Sequence, residues 1–303
     1  MSVVSRRAAL RTLAAGGVAA AWPMAALAAP LARPIPSTGE MIPAIGLGSW
    51  ITFNVGDDPP ARAACAEVMR AFFAGGGRMI DSSPMYGSSQ SVIGEGLARI
   101  GRAGDVFATD KVWVSGAGRG PAQIERSREL WGVDRFDLMQ VHNLLSWEGH
   151  LATLFEMKAA GRLRHVGITT SEGRRHDEIE RVMRSHPIDF VQITYNVLDR
   201  EVERRILPLA QERGIAVIVN RPFREGALLR EIGARALPAF AAEIGAASWA
   251  QFVLKFILAH PAVTCAIPAT TRVDHVRENL AAAAGPLPSA ALRRRMADHV
   301  QAL

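Results

Sequence analysis

Three short apolar segments decide the fold of this chain: RMID at residues 78–81, VFATDK at residues 106–111 and FDLMQVH at residues 136–142. Each has the length of a β-strand, and a longer amphipathic stretch of helical period follows each of them. Strands that alternate with helices are typical of βα units, whose strands lie parallel in one sheet. The segments therefore predict three consecutive units of an α/β fold.

The same alternation continues on both sides of these segments and predicts eight units. The strands are expected at residues 44–48, 78–81, 106–110, 136–141, 164–168, 189–193, 215–219 and 263–267. The helices are expected at residues 61–74, 89–100, 121–131, 149–160, 174–184, 201–213, 248–260 and 272–283. Eight units in a chain of 303 residues predict one (β/α)8 TIM barrel. We also expect a hairpin within residues 31–41 at the barrel floor and a further helix at 288–302.

Polar side chains close the three segments at the points where strands meet loops. The closing residues are Asp81, Lys111 and His142, and Tyr86 follows Asp81 by five residues. The carboxyl ends of barrel strands carry the catalytic groups of this architecture. The sequence therefore predicts that these four residues form one catalytic site.

The four residue types suit the delivery of a proton. A phenol has a pKa near ~10, and a neighbouring ammonium group lowers that pKa because it favours the phenolate. We expect Lys111 to lower the pKa of Tyr86 and Asp81 to hold Lys111 charged and oriented. His142 is expected to form hydrogen bonds to a substrate oxygen and to the phenol.

Each residue taken alone also fits a structural role, because strand-end Asp and Lys residues commonly form ion pairs and a single His is commonly structural. Their joint occurrence favours the catalytic interpretation. The chain contains only three lysines, Lys111, Lys158 and Lys255, in an arginine-rich background. A lysine kept at a strand end suits a need for a compact ammonium instead of a planar guanidinium.

These residues, with the segment Gly46-Leu47-Gly48-Ser49-Trp50, resemble the aldo-keto reductase superfamily over residues 33–279. The resemblance implies reduction of an aldehyde or ketone to an alcohol, by direct hydride transfer from NADPH with Tyr86 as proton donor. NADH is the less expected cofactor. It also implies three substrate-contacting walls, Trp50, Trp113 and Trp147.

The resemblance places an extended NADPH across the barrel mouth, beneath residues 220–247. The residues implied in cofactor binding are Thr169, Thr170, Gln192, Asn220, Thr270, Thr271, Arg272, Glu278 and Asn279. Asn220 stands where the family usually has a stacking aromatic ring, so either Phe223 packs on the nicotinamide or Asn220 forms a hydrogen bond to it. Thr271 and Arg272 also fit a plain helix cap and a surface residue.

Two other functions remain open at this point. The same barrel could act as a non-catalytic NADPH-binding sensor or regulatory subunit. A Schiff-base lyase that uses Lys111 as nucleophile is the third possibility. A lysine that Asp81 keeps charged is a poor nucleophile, so the sequence disfavours the lyase.

Composition excludes several classes of protein. Two cysteines, Cys65 and Cys265, are too few for a disulfide framework or a cysteine zinc site, and we expect both to be buried and reduced. No metal site and no nucleic-acid partner are expected, because ligand clusters and basic-aromatic patches are missing from the sequence. No Rossmann or Walker motif occurs either. We expect a monomer that acts on a small carbonyl compound.

The first 28 residues have the pattern of a secretory signal, and residues 29–303 are assigned to the barrel. Arg6 and Arg7 precede an apolar stretch that ends at the cleavage motif Ala26-Leu27-Ala28. The paired arginines resemble a twin-arginine signal, except for Ala9 where Phe is usual. We expect recognition of residues 5–11 by that export machinery and a periplasmic or secreted protein cleaved near Ala28. An uncleaved membrane anchor and a misassigned start codon are the alternatives.

Overall fold

The computed structural model describes residues 30–303. The expected signal segment and its cleavage motif lie outside the described residues. None of the helices between residues 30 and 303 combines the length and apolarity that a membrane crossing requires.

Eight parallel strands form the central sheet in sequence order, as expected for a (β/α)8 barrel. They are β3 (Leu47–Gly48), β4 (Met79–Asp81), β5 (Phe107–Val112), β6 (Phe136–His142), β7 (Leu163–Thr169), β8 (Phe190–Thr194), β9 (Ala216–Asn220) and β10 (Val263–Ala266). Parallel bridges Ile45–Ala266 and Gly48–Ala269 join the first strand to the last. Gly48 is required at this closure, because a Cβ there would lie 2.7 Å from the carbonyl oxygen of Ile267.

Helices cover the outside of the sheet, because each has one apolar face to bury. They are α1 (Pro59–Ala74), α2 (Ser89–Ile100), α3 (Gly120–Trp131), α4 (Trp147–Ala159), α5 (His176–Ser185), α6 (Ile206–Arg213), α7 (Ala227–Ile232), α8 (Trp249–Leu258), α9 (Val273–Ala281) and α10 (Ala290–Gln301). Short 3₁₀ turns occupy Ala117–Arg119, Glu201–Glu203 and Ala239–Ile244. The additional C-terminal helix is thereby confirmed as α10.

The expected helix at residues 201–213 is wrong in its first turn. A 3₁₀ turn covers Glu201–Glu203, and α6 begins only at Ile206. Pro208 provides the reason, because proline has no N–H to donate and is tolerated in a helix only near its start. The helix therefore has to begin just before this proline.

The barrel floor carries the expected hairpin. β1 (Ala32–Pro34) pairs antiparallel with β2 (Met41–Pro43). Glu40, between the two strands, forms ion pairs with Arg164 of β7 and with Arg78. Above the hairpin, a buried apolar cluster fills the lower barrel with side chains that include Phe107, Leu138 and Phe190. The packed floor leaves the opposite mouth as the place for a ligand.

Both cysteines are free and buried, as expected. Burial raises the pKa of the Cys65 thiol to about 11 and raises that of Cys265 further. Both side chains are therefore protonated thiols at neutral pH, with low reactivity.

Candidate active site

A cleft of about 700 Å³ opens at the carboxyl ends of the strands. Three of the four residues that the sequence assigned to catalysis line it, namely Asp81, Tyr86 and His142. Lys111 lies directly beneath them and is buried. The structure therefore brings all four side chains to one place, although they come from three strands and a loop.

Lys111 and Asp81 form a buried ion pair. The Lys111 Nζ lies 2.6 Å from Asp81 Oδ2 and donates a second hydrogen bond, of 2.8 Å, to the carbonyl oxygen of Ser82. Burial by itself would lower the pKa of Lys111, but its acidic neighbours, Asp81 first among them, together outweigh burial and the pKa is raised. Lys111 is therefore a fixed ammonium group at the bottom of the cleft.

Amide and hydroxyl groups hold the other oxygen of Asp81. Gln192 Nε2 donates to Asp81 Oδ1 over 2.9 Å, and Gln140 Nε2 and Thr109 Oγ1 approach the same oxygen at 3.4 Å. Hydrogen bonds from such donors stabilise an ionised carboxylate in a buried place. Asp81 can therefore remain charged opposite Lys111.

Tyr86 lies over this ion pair. Its ring centroid is 5.1 Å from Lys111 Nζ and 5.9 Å from the His142 ring, which it meets edge to face. Burial raises the pKa of Tyr86, and the opposing effect of Lys111 does not fully cancel the burial. As expected, the charge of Lys111 acts to lower the pKa of Tyr86, but the net change in this pKa is an increase because burial has the larger effect. The phenol is accordingly protonated at neutral pH.

His142 is a neutral hydrogen-bond donor in this site. Burial, assisted by the nearby Lys111 charge, lowers the pKa of His142 to about 2. Its Nδ1 lies 2.7 Å from Ser83 Oγ, which also accepts the Met85 N–H at 3.4 Å. A hydroxyl that accepts from Met85 can donate to Nδ1, and the imidazole proton then lies on Nε2. That N–H is available to a substrate oxygen.

Apolar side chains surround the opening next to Tyr86. Trp50, Ile51, Met85 and Trp113 are 38%, 62%, 38% and 40% exposed, which is unusual for large apolar residues. Trp50, Ile51 and Met85 line the cleft, and the ring centroid of Trp113 lies 6.3 Å from that of His142.

Polar contacts fix the loops that carry these apolar residues. Asn54 Oδ1 accepts the Ser88 N–H, which joins the Trp50 loop to the Tyr86 loop. Both backbone groups of Trp113 are hydrogen-bonded to the side chain of Gln123. The apolar rim is therefore held in place before any substrate arrives.

Trp147 does not belong to this rim, which corrects our expectation of a third wall. It begins α4, where its indole N–H donates to Glu178 over 2.8 Å and its ring meets His186 edge to face. Its side chain is buried between α4 and α5, outside the set of residues that line the cleft. Sequence spacing alone could not distinguish a tryptophan at the first position of a helix from one at the rim of the cleft.

The ends of β7, β8 and β9 form the opposite wall. Thr169, Gln192 and Asn220 line the cleft there, and all three are residues that the resemblance assigns to cofactor binding. Thr170 is buried and is not part of the lining, and its carbonyl oxygen accepts a 2.9 Å hydrogen bond from Asn220 Nδ2. Phe223 also lines the cleft, so it is available for packing on a planar ring.

The segment that leads into α9 divides into two parts. Thr270, Glu278 and Asn279 line the cleft, together with His275. Thr271 and Arg272 are exposed and lie outside the lining. Thr270 Oγ1, not Thr271, accepts the Arg272 N–H at 3.1 Å, so the alternative of Thr271 as helix cap is wrong.

An ion pair occupies the exposed part. Arg272 Nε donates to Asp274 Oδ1 over 3.0 Å. A phosphate that binds Arg272 would therefore have to compete with the Asp274 carboxylate for the guanidinium group.

A charged cluster at the mouth of the cleft was not predicted from the sequence. Arg221 forms ion pairs of 3.0 Å with Glu172 Oε1 and 2.6 Å with Glu225 Oε1, and all three residues line the cleft. Arg221 and Glu225 have φ angles of +50° and +59°, which are unfavourable for residues other than glycine. The segment expected to cover the cofactor, residues 220–247, contains Arg221 and Glu225, but no charged cluster was expected in it.

Within the described part of the chain, His, Cys, Asp and Glu side chains form no cluster of three that could hold a metal ion.

Comparison with known proteins supports one family. The Aldo/keto reductase family model matches residues 44–295. Methylglyoxal reductase YeaE of Escherichia coli is 27% identical over 258 residues, which are 83% of this chain and 89% of that protein. The NADH-specific methylglyoxal reductase of the same organism is 24% identical, over 64% of this chain and 68% of that protein.

Solved structures agree in fold. An aldo-keto reductase from Klebsiella pneumoniae in complex with NADPH superimposes with a TM-score of 0.74 at 22% identity, over 86% of this chain and 92% of that one. A thermostable aldo-keto reductase in complex with the inhibitor epalrestat gives a TM-score of 0.71 at 26% identity, over 89% and 99% of the two chains.

Proposed function

Because this chain belongs to the aldo/keto reductase family and is therefore an oxidoreductase, we propose that it reduces an aldehyde or ketone to an alcohol with NADPH as hydride donor. The observation that carries the proposal is the buried Lys111–Asp81 pair of 2.6 Å beneath Tyr86 in the cleft. A buried ion pair costs desolvation free energy. The pair lies beneath Tyr86, whose phenol lines the cleft, so its ammonium group can act on the ionisation of that phenol.

The chain supplies the proton half of the reaction. When bound, NADPH would deliver a hydride to the carbonyl carbon. Tyr86 transfers its phenolic proton to the carbonyl oxygen, and Lys111 stabilises the phenolate that remains. The neutral His142 donates its Nε2–H to the same oxygen and orients it. The products are an alcohol and NADP⁺, and Tyr86 regains a proton from solvent.

The residues that would hold the cofactor lie along one side of the cleft. Thr169 and Gln192 offer hydrogen-bonding groups at the ends of β7 and β8, and Thr270 and Asn279 do so at the other end of the cleft. An elongated cleft with polar groups at both ends suits an extended dinucleotide. Arg272, beyond Thr270, would meet the 2′-phosphate.

The geometry of the site favours neither the Schiff-base lyase nor the non-catalytic sensor. A lyase would need a neutral Lys111, whereas Asp81 raises the pKa of that ammonium. A sensor would not need a buried ion pair beneath a phenol. The deciding experiment is NADPH oxidation by the purified protein with a panel of carbonyl compounds, beginning with methylglyoxal because two relatives are named for it. Binding of NADPH without turnover of any compound would favour the sensor.

Trp113→Ala is expected to raise KM for an aromatic aldehyde such as benzaldehyde by about tenfold, with a much smaller effect on methylglyoxal. The larger substrate has apolar area to bury against the ring, at ~25 cal/mol per Å². Steady-state kinetics with both substrates measure the difference. Met41→Ala is the matched control, because Met41 is also exposed but lies in β2 at the barrel floor. Equal losses for both aldehydes would show that Trp113 does not contact the substrate.

Arg272→Ala is expected to weaken NADPH binding by about tenfold and to leave NADH binding nearly unchanged, because only NADPH carries the 2′-phosphate. Asp274→Asn should act in the opposite direction, since it frees the guanidinium from its carboxylate partner. Cofactor titration by fluorescence measures both. Arg277→Ala, on the same helix and exposed, is the control. Equal weakening of the two cofactors in Arg272→Ala would make Arg272 a purely structural residue.

We further propose that the protein is exported through the twin-arginine route with NADPH already bound, because that route moves folded proteins and the dinucleotide is cytoplasmic. Replacing Arg6 and Arg7 by lysine keeps the charge and removes the paired guanidinium groups, so active enzyme should accumulate in the cytoplasm. Cell fractionation and analysis of bound dinucleotide test this. Normal export of the Lys-Lys variant, or periplasmic protein free of cofactor, would overturn it.

A further inference from the structure

The side chain of Asn220 uses all of its hydrogen-bonding groups within the protein. Its Nδ2 donates to the Thr170 carbonyl oxygen over 2.9 Å and approaches Gln192 Oε1 at 3.5 Å. Its Oδ1 accepts from Thr194 Oγ1 over 2.8 Å. Thr194 Oγ1 in turn accepts the N–H of Glu172 at 3.0 Å. Asn220 therefore ties together the ends of β7, β8 and β9, and it retains no N–H for a nicotinamide.

Gln192 continues this network to the catalytic pair. Its Nε2 donates to Asp81 Oδ1 over 2.9 Å, and its Oε1 faces Thr169 Oγ1 at 3.3 Å and Asn220 Nδ2. An ionised carboxylate only accepts hydrogen bonds, so the amide nitrogen of Gln192 has to face Asp81. The amide oxygen then has to face donors, and Asn220 and Thr169 are the donors in contact with it.

We propose that Asn220 is a positioning residue, which holds Gln192 in the orientation that donates to Asp81 and thereby holds the Asp81–Lys111 pair in place beneath Tyr86. The chain of contacts runs from Asn220 through Gln192 and Asp81 to Lys111, and its longest link is the 3.5 Å approach between the two amides. The effect of Asn220 on kcat rests on the proposed reductase function. The effect of Asn220 on the position of Lys111 does not.

Substitution of Asn220 should therefore change the surroundings of the Lys111 ammonium group. Asn220→Leu keeps a side chain of similar size but removes the Nδ2 donor that faces Gln192 and Thr170, so that Thr169 is the donor left to the Gln192 amide oxygen. Asn220→Asp keeps the acceptor for Thr194 and places a carboxylate against two carbonyl oxygens. Rotation of the Gln192 amide relieves that repulsion, but the rotation turns Oε1 toward Asp81. Both variants should therefore weaken the hold on the Gln192 amide, which donates to Asp81 over 2.9 Å.

The small number of lysines permits a direct test that needs no enzyme activity. With ¹³C-labelled lysine, the side-chain carbon next to Nζ gives three resonances, for Lys111, Lys158 and Lys255, which single substitutions assign. Lys158 pairs with Asp189 and Lys255 donates to the carbonyl oxygens of Ala284 and Pro286, so both are internal references. We expect Asn220→Leu to move the Lys111 resonance alone.

The double variant decides whether Gln192 carries the effect. Gln192→Leu should move the Lys111 resonance as well, and adding Asn220→Leu should move it no further. In parallel, Asn220→Leu should lower kcat by about tenfold in the wild-type background and by less than twofold in the Gln192→Leu background. Asn196→Leu is the matched control, because Asn196 is a buried amide bonded to Asp199 and to the Arg221 carbonyl oxygen, and its side chain makes no hydrogen bond to Gln192. It should leave the Lys111 resonance unchanged.

An unmoved Lys111 resonance in Asn220→Leu, or equal kcat losses in the two backgrounds, would overturn the proposal. Where Asn220→Leu does not fold, as judged by circular dichroism and thermal unfolding, the same two outcomes decide the proposal in the isosteric Asn220→Asp. A protein without turnover of any carbonyl compound would contradict the proposed function. The resonance of Lys111 would still decide the role of Asn220.

Discussion

Tyr86→Phe is expected to lower kcat by at least ~10²-fold while NADPH binds with nearly unchanged affinity. The substitution removes the proton donor and keeps the ring, and a positioned acid typically contributes ~10²–10⁴-fold. Turnover and cofactor titration on the same preparation measure the two quantities. A loss in kcat and kcat/KM of equal size would show that the interaction is made in the transition state.

The second tyrosine provides the control for this experiment. Tyr195 is buried away from the cleft, where its hydroxyl contacts Glu203 and Arg293 of α10. Tyr195→Phe should therefore lower thermal stability and leave kcat near the wild-type value. Near-normal turnover in Tyr86→Phe would remove Tyr86 from the mechanism.

The pH dependence of kcat provides a second test of the role of Tyr86. Burial raises the pKa of Tyr86 above its ordinary value near 10, against the opposing effect of Lys111. Carbonyl reduction requires the protonated phenol, so kcat for reduction should stay level through neutral pH and fall only as the pH rises through this raised pKa. Alcohol oxidation requires the phenolate and should show the opposite slope. Rate profiles in both directions, with isotope effects to identify the chemical step, test the assignment.

Lys111→Met is expected to abolish measurable turnover and to destabilise the protein by about 3–5 kcal/mol, because it leaves the buried Asp81 carboxylate without its cation. Lys111→Arg keeps the charge, but the guanidinium is larger and planar, so it should fail to restore catalysis in this tightly packed place. Denaturant unfolding and single-turnover kinetics measure stability and activity separately.

The double variant Asp81→Asn with Lys111→Met separates the two effects. It removes both charges, so it should recover a large part of the lost stability and none of the activity. Lys158→Met is the control for loss of a lysine, since Lys158 pairs with Asp189 at 2.6 Å but is partly exposed and does not line the cleft. Full activity in Lys111→Met, or no difference in stability between the single and double variants, would contradict the role of the pair.

Local patterns were sufficient to predict most of the secondary structure. The helix expected at residues 89–100 has those bounds, and the strand expected at 136–141 is longer by one residue. Both follow from apolar periodicity, and Gly101 terminates the helix, so neighbouring residues determine them. The start of α6 differs from the expected one because Pro208 is tolerated only near the beginning of a helix, which amphipathic periodicity does not reveal.

The barrel and the grouping of the four candidate catalytic residues were predictable from the sequence, because Asp81, Lys111 and His142 each close a strand and parallel strands bring their carboxyl ends together. The groups that meet around these residues could be identified only from the folded chain. Gln192 reaches Asp81 across 111 residues of sequence, and Trp147 turns away to Glu178. Likewise, the net direction of the Tyr86 pKa depends on how deeply the folded chain buries the phenol. These contacts depend on strand register, barrel closure and burial, which are properties of the whole chain and not of any short segment.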